Sequence, residues 1–450
     1  MGSVNKIIKK SPNFVKSAFY KYVPFRYRYG KVYGETLDFL LESQNWSEEK
    51  LKHYQLQQLQ RLLKHCYTNV PYYRNIFIKN GWNPMDFKSV DDLREFPVLT
   101  KRKIIDHNQM LIADDMRDKK SFPITTSGST GDKLKFYVDD DCLKKEAAFN
   151  MRAYIQQGAK MYDTPSVWLR RYVPKDSESP LWYYDKELKR LYMSAYHLND
   201  RTIGDYVAKI NEGNYQTMCT YPSAAYIFAC LCEENDLSLT NIKKIHTTSE
   251  VLLEKWYNKV QEVFGITPCG HYGQMEKVSF MNQTEDSRDL KQNLEYGVDH
   301  FYDNEDGTYG LISTGFINYY MPFIRYKTED TFVIKDGKIK DVNGRSSDIL
   351  VSKDGSRLPG VNFYSWIDKK MPSIKLFQII QKTHDDIIFN YVQNPDHNND
   401  ITEDILGGLS SRLGDMNYSV NKVDDIKSCL LYTSDAADER SSVDLGGRRI

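Results

Sequence analysis

The chain has 450 residues, 40% hydrophobic and 27% charged, with 61 Lys plus Arg against 61 Asp plus Glu. A single hydrophobic core stops growing at about 250–300 residues, so this length predicts two or three packed units. The composition excludes a disordered, collagen-like or disulfide-dense chain, and zero net charge argues against a general nucleic-acid binder, which carries a basic excess.

The first segment is basic. Eight Lys or Arg residues from Lys6 to Lys31 precede the first acid, Glu35, interleaved with Phe14, Phe19, Tyr20, Tyr22, Phe25, Tyr27 and Tyr29. Two readings stay open for this arm, 1–45. One is contact with an anionic membrane surface or an acidic partner. The favoured one is a capping segment whose aromatics and Lys/Arg stems pack on the main domain. Leu51, Tyr54, Leu56, Leu59, Leu62 and Leu63 recur at helical spacing and predict a helix over 48–66, stopped by Asn69-Val70-Pro71-Tyr72-Tyr73. A short helix opens at Asp91-Asp92-Leu93 and closes at Pro97, and another is expected over 141–157.

Strand and helix signals then alternate: strands at 166–169, 217–220 and 244–248, helices at 202–211, 223–235 and 253–264. This alternation predicts α/β architecture with parallel strands. The longest apolar run, Ala224 to Cys232, falls short of the about 20 residues of a membrane span. No secretory signal is visible, so a cytoplasmic protein without an integral membrane segment is expected. The seven cysteines lack framework spacing and are expected as reduced thiols, Cys230 and Cys232 as packing residues.

Beyond Tyr309 the pattern turns to strands at 309–314, 331–335 and 338–342, with Asp336-Gly337 and Asn343-Gly344 as turn signals. A smaller α+β unit is expected from Arg345, in the order strand, helix, strand, strand, helix, strand, with a strand pair at 374–381 and 386–392. The boundaries expected are a large domain over 1–344, a small mobile domain over 345–427, and a non-native tail over 428–450. That tail contains CLLYTSDAADERSSVDLGGRRI, which resembles translated sequencing-adapter read-through. The natural sequence is expected to diverge after Lys427.

Thr125-Thr126-Ser127-Gly128-Ser129-Thr130-Gly131-Asp132-Lys133-Leu134 lies between two strand-like stretches. Gly128 and Gly131 permit a tight turn whose N–H groups make an anion-binding nest. Thr126, Ser127, Ser129 and Thr130 add hydroxyl donors, and Lys133 adds charge. The spacing is not that of a Walker A loop. Taken alone, such a stretch reads first as an ordinary turn.

Several segments in order resemble the adenylate-forming superfamily, and within it the phenylacetate–CoA ligase-like branch, which includes members from capsular polysaccharide loci. The hydroxyl-rich loop is similar to the family's S/T-S-G-S/T-T-G. Asn69 to Arg74 and Phe96 to Lys101 resemble the branch's N-terminal signatures. Tyr272-Gly273-Gln274-Met275-Glu276 resembles Tyr-Gly-x-x-Glu, Pro322 to Asp330 resembles P-x-I-R-Y-x-T-G-D, and Gly344-Arg345-Ser346-Ser347-Asp348 resembles G-R-x-x-D. The resemblance runs from about Leu62 to Ile426. It implies an α/β fold with a large N-terminal multi-sheet domain and a small C-terminal α+β domain.

The resemblance also implies roles. The loop, Thr126 to Gly131 with Lys133, would hold the ATP β- and γ-phosphates, and Thr130, Glu276 and Arg345 would be catalytic. Tyr272 and Gly273 would sit at adenine, Glu276 would contact Mg²⁺, and Asp330 would accept from the ribose hydroxyls. Arg345 would lie near ribose or phosphate, and Asp348 would be the hinge. Tyr221, within Tyr221-Pro222-Ser223, and His246 and His271 are candidates for an acyl pocket. Thr248-Ser249-Glu250 precedes a helix, as in the family.

Three departures stand out. Glu329 replaces the glycine before the ribose aspartate. Asp132-Lys133 stands where a proline usually follows the loop. Residues 279–300 carry no cysteine, so no structural zinc is expected. The family's C-terminal lysine has no counterpart here.

The implied reaction joins a small-molecule carboxylate to ATP, releasing pyrophosphate, and passes the acyl group from acyl-AMP to CoA. Two alternatives remain. One is an adenylating enzyme whose acceptor is an amine or hydroxyl in capsular or surface-polysaccharide biosynthesis. The other is a nucleotide-binding protein without catalysis. An oligomer is compatible with each.

Overall fold

The computed structural model describes residues 8, 11–126, 134–159, 164–170, 172, 174, 179–198, 200–345, 349–353, 357–359, 363, 367, 373–393 and 399–424. By internal contacts the chain divides into two units. One comprises 1–123, 136–328 and 333–342, and the other 124–135, 329–332 and 343–450.

The first unit opens with helices α1 (Asn13–Tyr22), α2 (Phe25–Tyr29) and α3 (Lys31–Ser43). Several of the arm's cations are engaged inside the chain. Arg28 is buried and donates to the carbonyls of Val23 and Glu187, Arg26 pairs with Asp38 at 2.6 Å, and Lys31 with Glu35 at 3.4 Å. Phe25 and Tyr33 are buried edge to face, while Phe14, Tyr22 and Tyr27 stay exposed.

Helix α4 (Glu48–Asn69) is capped by the Ser47 hydroxyl, which accepts from the Lys50 N–H, with Glu48 and Glu49 in its first turn. Its buried side is Gln55, Leu59, Leu62, Leu63 and Cys66. Pro71 both stops α4 and starts α5 (Pro71–Asn80), since proline at the first helical position lacks only an N–H that would have no partner. Tyr73 and Phe77 of α5 join Phe87 and Phe96 in an aromatic cluster.

The sheet has twelve strands. These are β3 (Ser166–Arg170), β4 (Trp182–Asp185), β5 (Arg190–Ser194), β6 (Thr217–Thr220), β7 (Lys244–Thr247), β8 (Cys269–Gly273), β9 (Phe280–Thr284), β10 (Ser287–Gln292), β11 (Gly297–Asp303), β12 (Tyr309–Gly315), β13 (Tyr326–Lys335) and β14 (Lys338–Arg345). Their order is β11-β12-β13-β14-β10-β9-β8-β7-β6-β3-β5-β4. The run β5-β3-β6-β7-β8 is parallel; β3, β6 and β7 are the strands the alternation predicts, β5 and β8 extend the run, and antiparallel strands flank it on both sides. Strand β3 is buried along its whole length, as expected of a parallel strand covered on both faces.

Helices α8 (Ile203–Asn211), α9 (Pro222–Glu234) and α10 (Glu254–Phe264) contribute Tyr206, Phe228 and Val260 to the core against Val167, Leu169, Met218 and Ile245. Cys230 and Cys232 are buried in α9. Helix α7 (Asp140–Gln156) is capped by Asp139, which accepts from the Cys142 N–H at 2.8 Å.

Asp336-Gly337 forms a turn with φ of 52° and 70°. Asn343-Gly344 does not: both residues lie in β14, where ladder pairing overrides the local turn preference. Strands β1 (Ser121–Thr126) and β2 (Leu134–Asp139) pair around the hydroxyl-rich segment. Among the described residues, no helix is long and apolar enough to cross a membrane.

In the second unit, β17 (Ile374–Gln381) and β18 (Asp386–Gln393) pair antiparallel. β19 (Asn417–Lys422) pairs parallel to β18 after a crossover through helix α11 (Thr402–Leu413). Phe377, Phe389, Ile405, Leu409 and Leu413 form its core. A short pair, β15 (Ile349–Val351) with β16 (Arg357–Pro359), precedes it. The helix expected between them and β17 lies mostly outside the described residues.

Two carboxylates in the first unit, the buried Glu295 and the partly buried Asp299, have measurable consequences. Arg152 pairs with Glu295 at 2.6 Å, and Ser43 and Asn293 complete the cluster. Burial alone would raise the Glu295 carboxyl, but Arg152 and Ser43 hold it below its ordinary value. Arg152→Leu strands that carboxylate and is expected to cost about 3–5 kcal/mol in equilibrium urea unfolding.

Asp299 accepts from Ser313 at 2.6 Å, Ser279 at 3.0 Å and Gln292 at 3.5 Å, yet burial pushes it up to about 6. Its folded pKa exceeds the unfolded value of about 3.9, so between these values the folded chain holds more protons and stability falls as pH rises. Asp299→Asn is expected to remove this slope. The variant should gain on the order of 1–2 kcal/mol over wild type at about pH 8 relative to about pH 4. Parallel pH-dependences in the two proteins would refute the assignment.

Candidate functional site

In an open α/β sheet, ligands bind beyond the carboxyl ends of parallel strands. Here β3 ends at Arg170, β6 at Thr220, β7 at Thr247 and β8 at Gly273. The residues at or just past those ends are Arg170, Tyr221, Thr248, Ser249 and Tyr272, so one sheet edge gathers three of the sequence-derived segments. The Arg170 guanidinium lies 5.3 Å from the Trp168 ring and 5.0 Å from the Tyr221 ring, and donates to the Ser249 hydroxyl at 3.4 Å. Ser249 has φ of 73°, a left-handed conformation costing a non-glycine residue of order 1–3 kcal/mol.

Behind this edge runs a chain of polar side chains. Gln157 bonds His246 Nδ1. His246 Nε2 meets His271 Nδ1 at 2.9 Å, and His271 Nε2 meets the Thr248 hydroxyl at 3.3 Å. His246 is 2% exposed with both ring nitrogens engaged, so it offers no ring nitrogen to a ligand, against its expected place in an acyl pocket. The rings stack at 5.1 Å, with Tyr154 edge-on to His246 and Phe280 stacked on His271.

Tyr272 and Gly273 close β8, and Glu276 follows in a turn whose backbone is tightly packed. A Cβ on Gly315 would stand 2.0 Å from the Lys277 carbonyl oxygen, and one on Gly297 2.9 Å from that of Val278. Only glycine admits this approach. Lys277 (φ 60°) is buried and pairs with Glu146 at 2.5 Å. Glu276 Oε1 accepts from the Tyr326 hydroxyl at 3.2 Å. That bond joins the Tyr-Gly-x-x-Glu segment to the start of β13.

The two N-terminal signatures converge on the 322–327 segment. The buried Tyr73 hydroxyl donates to the Pro322 carbonyl and accepts from the Ile324 N–H, both at 3.0 Å. Leu99 pairs with Tyr326 in parallel, its N–H to the Arg325 carbonyl and its carbonyl to the Lys327 N–H, each at 2.9 Å. Arg325 (φ 52°) donates to the carbonyls of Phe96 and Arg94.

Asp330 lies in β13 and is partly buried. Thr126 ends β1 and Arg345 ends β14, but their side chains are outside the described part. Ser127, Gly128, Ser129, Thr130, Gly131, Lys133 and Asp348, and the tail from 425, lie outside the described residues.

Sequence reasoning missed Gln157, Glu146, Arg170 and Lys277, and quoted Tyr326 only within its motif, without a role. Arg170 carried a signal, a charge closing the apolar run Val167-Trp168-Leu169. Glu146 and Lys277, 131 positions apart, carried none.

With this geometry in place, comparison with known proteins bears on the fold. Residues 350–429 match the CapK C-terminal domain family. The chain is 26% identical over 402 residues to Protein CapK of Staphylococcus aureus, covering 86% of this chain and 87% of that one. It is 22% identical over 358 residues to a phenylacetate-coenzyme A ligase of Pseudomonas putida, covering 75% and 79%. The crystal structure of a 2-hydroxyisobutyryl-CoA ligase in the postadenylation state, in complex with R3-HIB-AMP, superposes with a TM-score of 0.57 at 13% identity, covering 84% of this chain and 86% of that one. The relatives are thus CapK and phenylacetate–CoA ligases, and the α/β fold with its small C-terminal domain is that of adenylate-forming ligases.

Two substitutions probe how the site is held. Tyr73→Phe leaves the Pro322 carbonyl and the Ile324 N–H without their partner and is expected to cost about 2–4 kcal/mol in urea unfolding. Gly270→Ala sets a Cβ 2.9 Å from the Thr247 carbonyl oxygen on the adjacent strand. It is expected to cost about 1–3 kcal/mol. Wild-type midpoints in both would show that neither contact holds the site.

Proposed function

We propose that this protein activates a carboxylic acid with Mg·ATP, forming acyl-AMP and pyrophosphate, and then passes the acyl group to a thiol such as CoA. The observation that carries the reading is the Tyr326–Glu276 contact, which couples two family motifs separated by 50 positions, in a fold shared with adenylate-forming ligases.

Tyr272 stacks on adenine, Gly273 leaves its backbone open beside it, and Asp330 accepts from the ribose hydroxyls. Thr126, Ser127, Gly128, Ser129, Thr130 and Gly131, with Lys133, cradle the phosphates, and Arg345 steadies ribose or phosphate. Glu276 would hold Mg²⁺ together with phosphate oxygens, a donor set suited to a hard cation. Held there, the cation would offset charge developing on the phosphates.

The substrate carboxylate is itself the nucleophile, so no side chain has to attack; the chain supplies position and charge stabilisation. Tyr221 and His271 line the acyl pocket, and His246 acts through His271. The large domain is 1–344 and the small domain 345–427, swinging about Asp348 between half-reactions. No lysine within 345–427 lies in a segment matching the one that carries the family's adenylation lysine. Substrates such as ATP and CoA accord with a cytoplasmic setting.

Calorimetry of Mg·ATP binding tests the reading without that lysine. Asp330→Ala is expected to weaken binding at least about tenfold, about 1.4 kcal/mol. No binding, or binding indifferent to Asp330, overturns the reading. Pyrophosphate release across a panel of carboxylic acids then tests adenylation, and CoA-dependent AMP release separates a thiol acceptor from an amine or hydroxyl on a surface-polysaccharide precursor.

A further inference from the structure

The chain behind the sheet edge can be followed proton by proton. Gln157 Nε2 donates to the backbone carbonyls of Gly270 at 2.9 Å and Gln283 at 3.0 Å. Carbonyls only accept, so the amide has one orientation and turns its Oε1 to His246 Nδ1. That nitrogen therefore carries the proton. A neutral imidazole has one donor and one acceptor, so His246 Nε2 accepts, and the proton across the 2.9 Å gap belongs to His271 Nδ1. His271 Nε2 then accepts, and the Thr248 hydroxyl is its donor.

A second proton on His246 would set two N–H groups against each other, and one on His271 would turn the Thr248 hydroxyl from donor to acceptor. The surroundings oppose it. Loss of solvent, the neighbouring His271 and the Arg170 cation keep His246 well below its ordinary value, and loss of solvent with Arg170 pushes His271 down to about 3. The groups facing the pair are Arg170 from β3, Tyr154 from α7, Cys219 beside His246 in β6, and Phe280 from β9.

Strand β8 is gripped on the same line. At Gly270 the carbonyl is held by Gln157 and the N–H by Gln283 Oε1 at 2.8 Å, and the next residue is His271.

We infer that Gln157, His246 and His271 form a proton-ordered positioning chain, which commits the Thr248 hydroxyl proton to His271 and fixes the His271–Tyr272 step of β8. These are positioning residues: they set the ring of Tyr272 through the backbone that carries it. The consequence for nucleotide affinity rests on the proposed function; the proton order does not.

Nitrogen-15 NMR of the histidine side chains in the full-length protein reads that order directly. His246 and His271 are each expected to hold the proton on Nδ1, with no titration from about pH 5 to about pH 8. An Nε2-protonated ring, or titration of either ring in that range, overturns the inference. Thr248→Val removes the terminal donor and Thr248→Ser keeps it. The valine variant is expected to show a second His271 tautomer and about fivefold faster amide exchange at Tyr272 and Gly273, with the serine variant restoring wild type. Unchanged tautomers and exchange in Thr248→Val overturn the positioning role.

Mg·ATP titration of the same variants separates the two ideas. Weaker binding in Thr248→Val alone supports the chain's effect on the nucleotide. Wild-type protein that binds no Mg·ATP, yet shows the expected tautomers and exchange, refutes the proposed function and supports the chain.

Discussion

The site depends on one buried hydroxyl. Tyr73 reaches 249 positions along the chain to accept from the Ile324 N–H and donate to the Pro322 carbonyl. Those groups belong to an irregular stretch, where helix or sheet partners are lacking and an unpaired polar group costs about 1–3 kcal/mol. With the stretch pinned, Leu99 pairs with Tyr326, and Tyr326 delivers its hydroxyl to Glu276. A motif near the N-terminus thereby sets a carboxylate two hundred residues later without approaching it.

The opposite side of the site is held by a different constraint. Parallel strands end together, and their following loops meet along one edge. At that edge the fold brings buried polar groups to partners: Arg170 to Ser249, His246 to Gln157 and His271, Lys277 to Glu146. In a poorly hydrated interior, satisfied networks of this kind have one arrangement, because any alternative leaves a donor facing a donor.

Close backbone approach completes the frame. Gly270, Gly297 and Gly315 each face a neighbouring carbonyl oxygen at a distance that no side chain tolerates. They bring β8 against β7, and the Glu276 turn against the 297 and 315 positions. The strained φ values of Ser249, Lys277 and Arg325 lie at the same places, which fits a site whose geometry is imposed by its surroundings.

Much of this was legible in the sequence. Periodicity located α4 and α8 to α10 within a few residues, because an amphipathic face repeats regardless of partner. The alternation of strands and helices implied the parallel neighbours β3, β6 and β7 but not β5 or β8, and the ordered motifs implied the fold shared with adenylate-forming ligases. What sequence could not supply were contacts between distant residues. Nothing local marks Glu146 as the partner of Lys277, or Gln157 as the residue that orders two histidines. Asn343-Gly344 was read as a turn because its local preference is strong, and pairing within β14 outweighed it. Residue types and spacing determined which elements form and which chemistry the motifs suggest. Only tertiary structure decided which buried donor meets which acceptor, because those pairings are set by packing across the sheet.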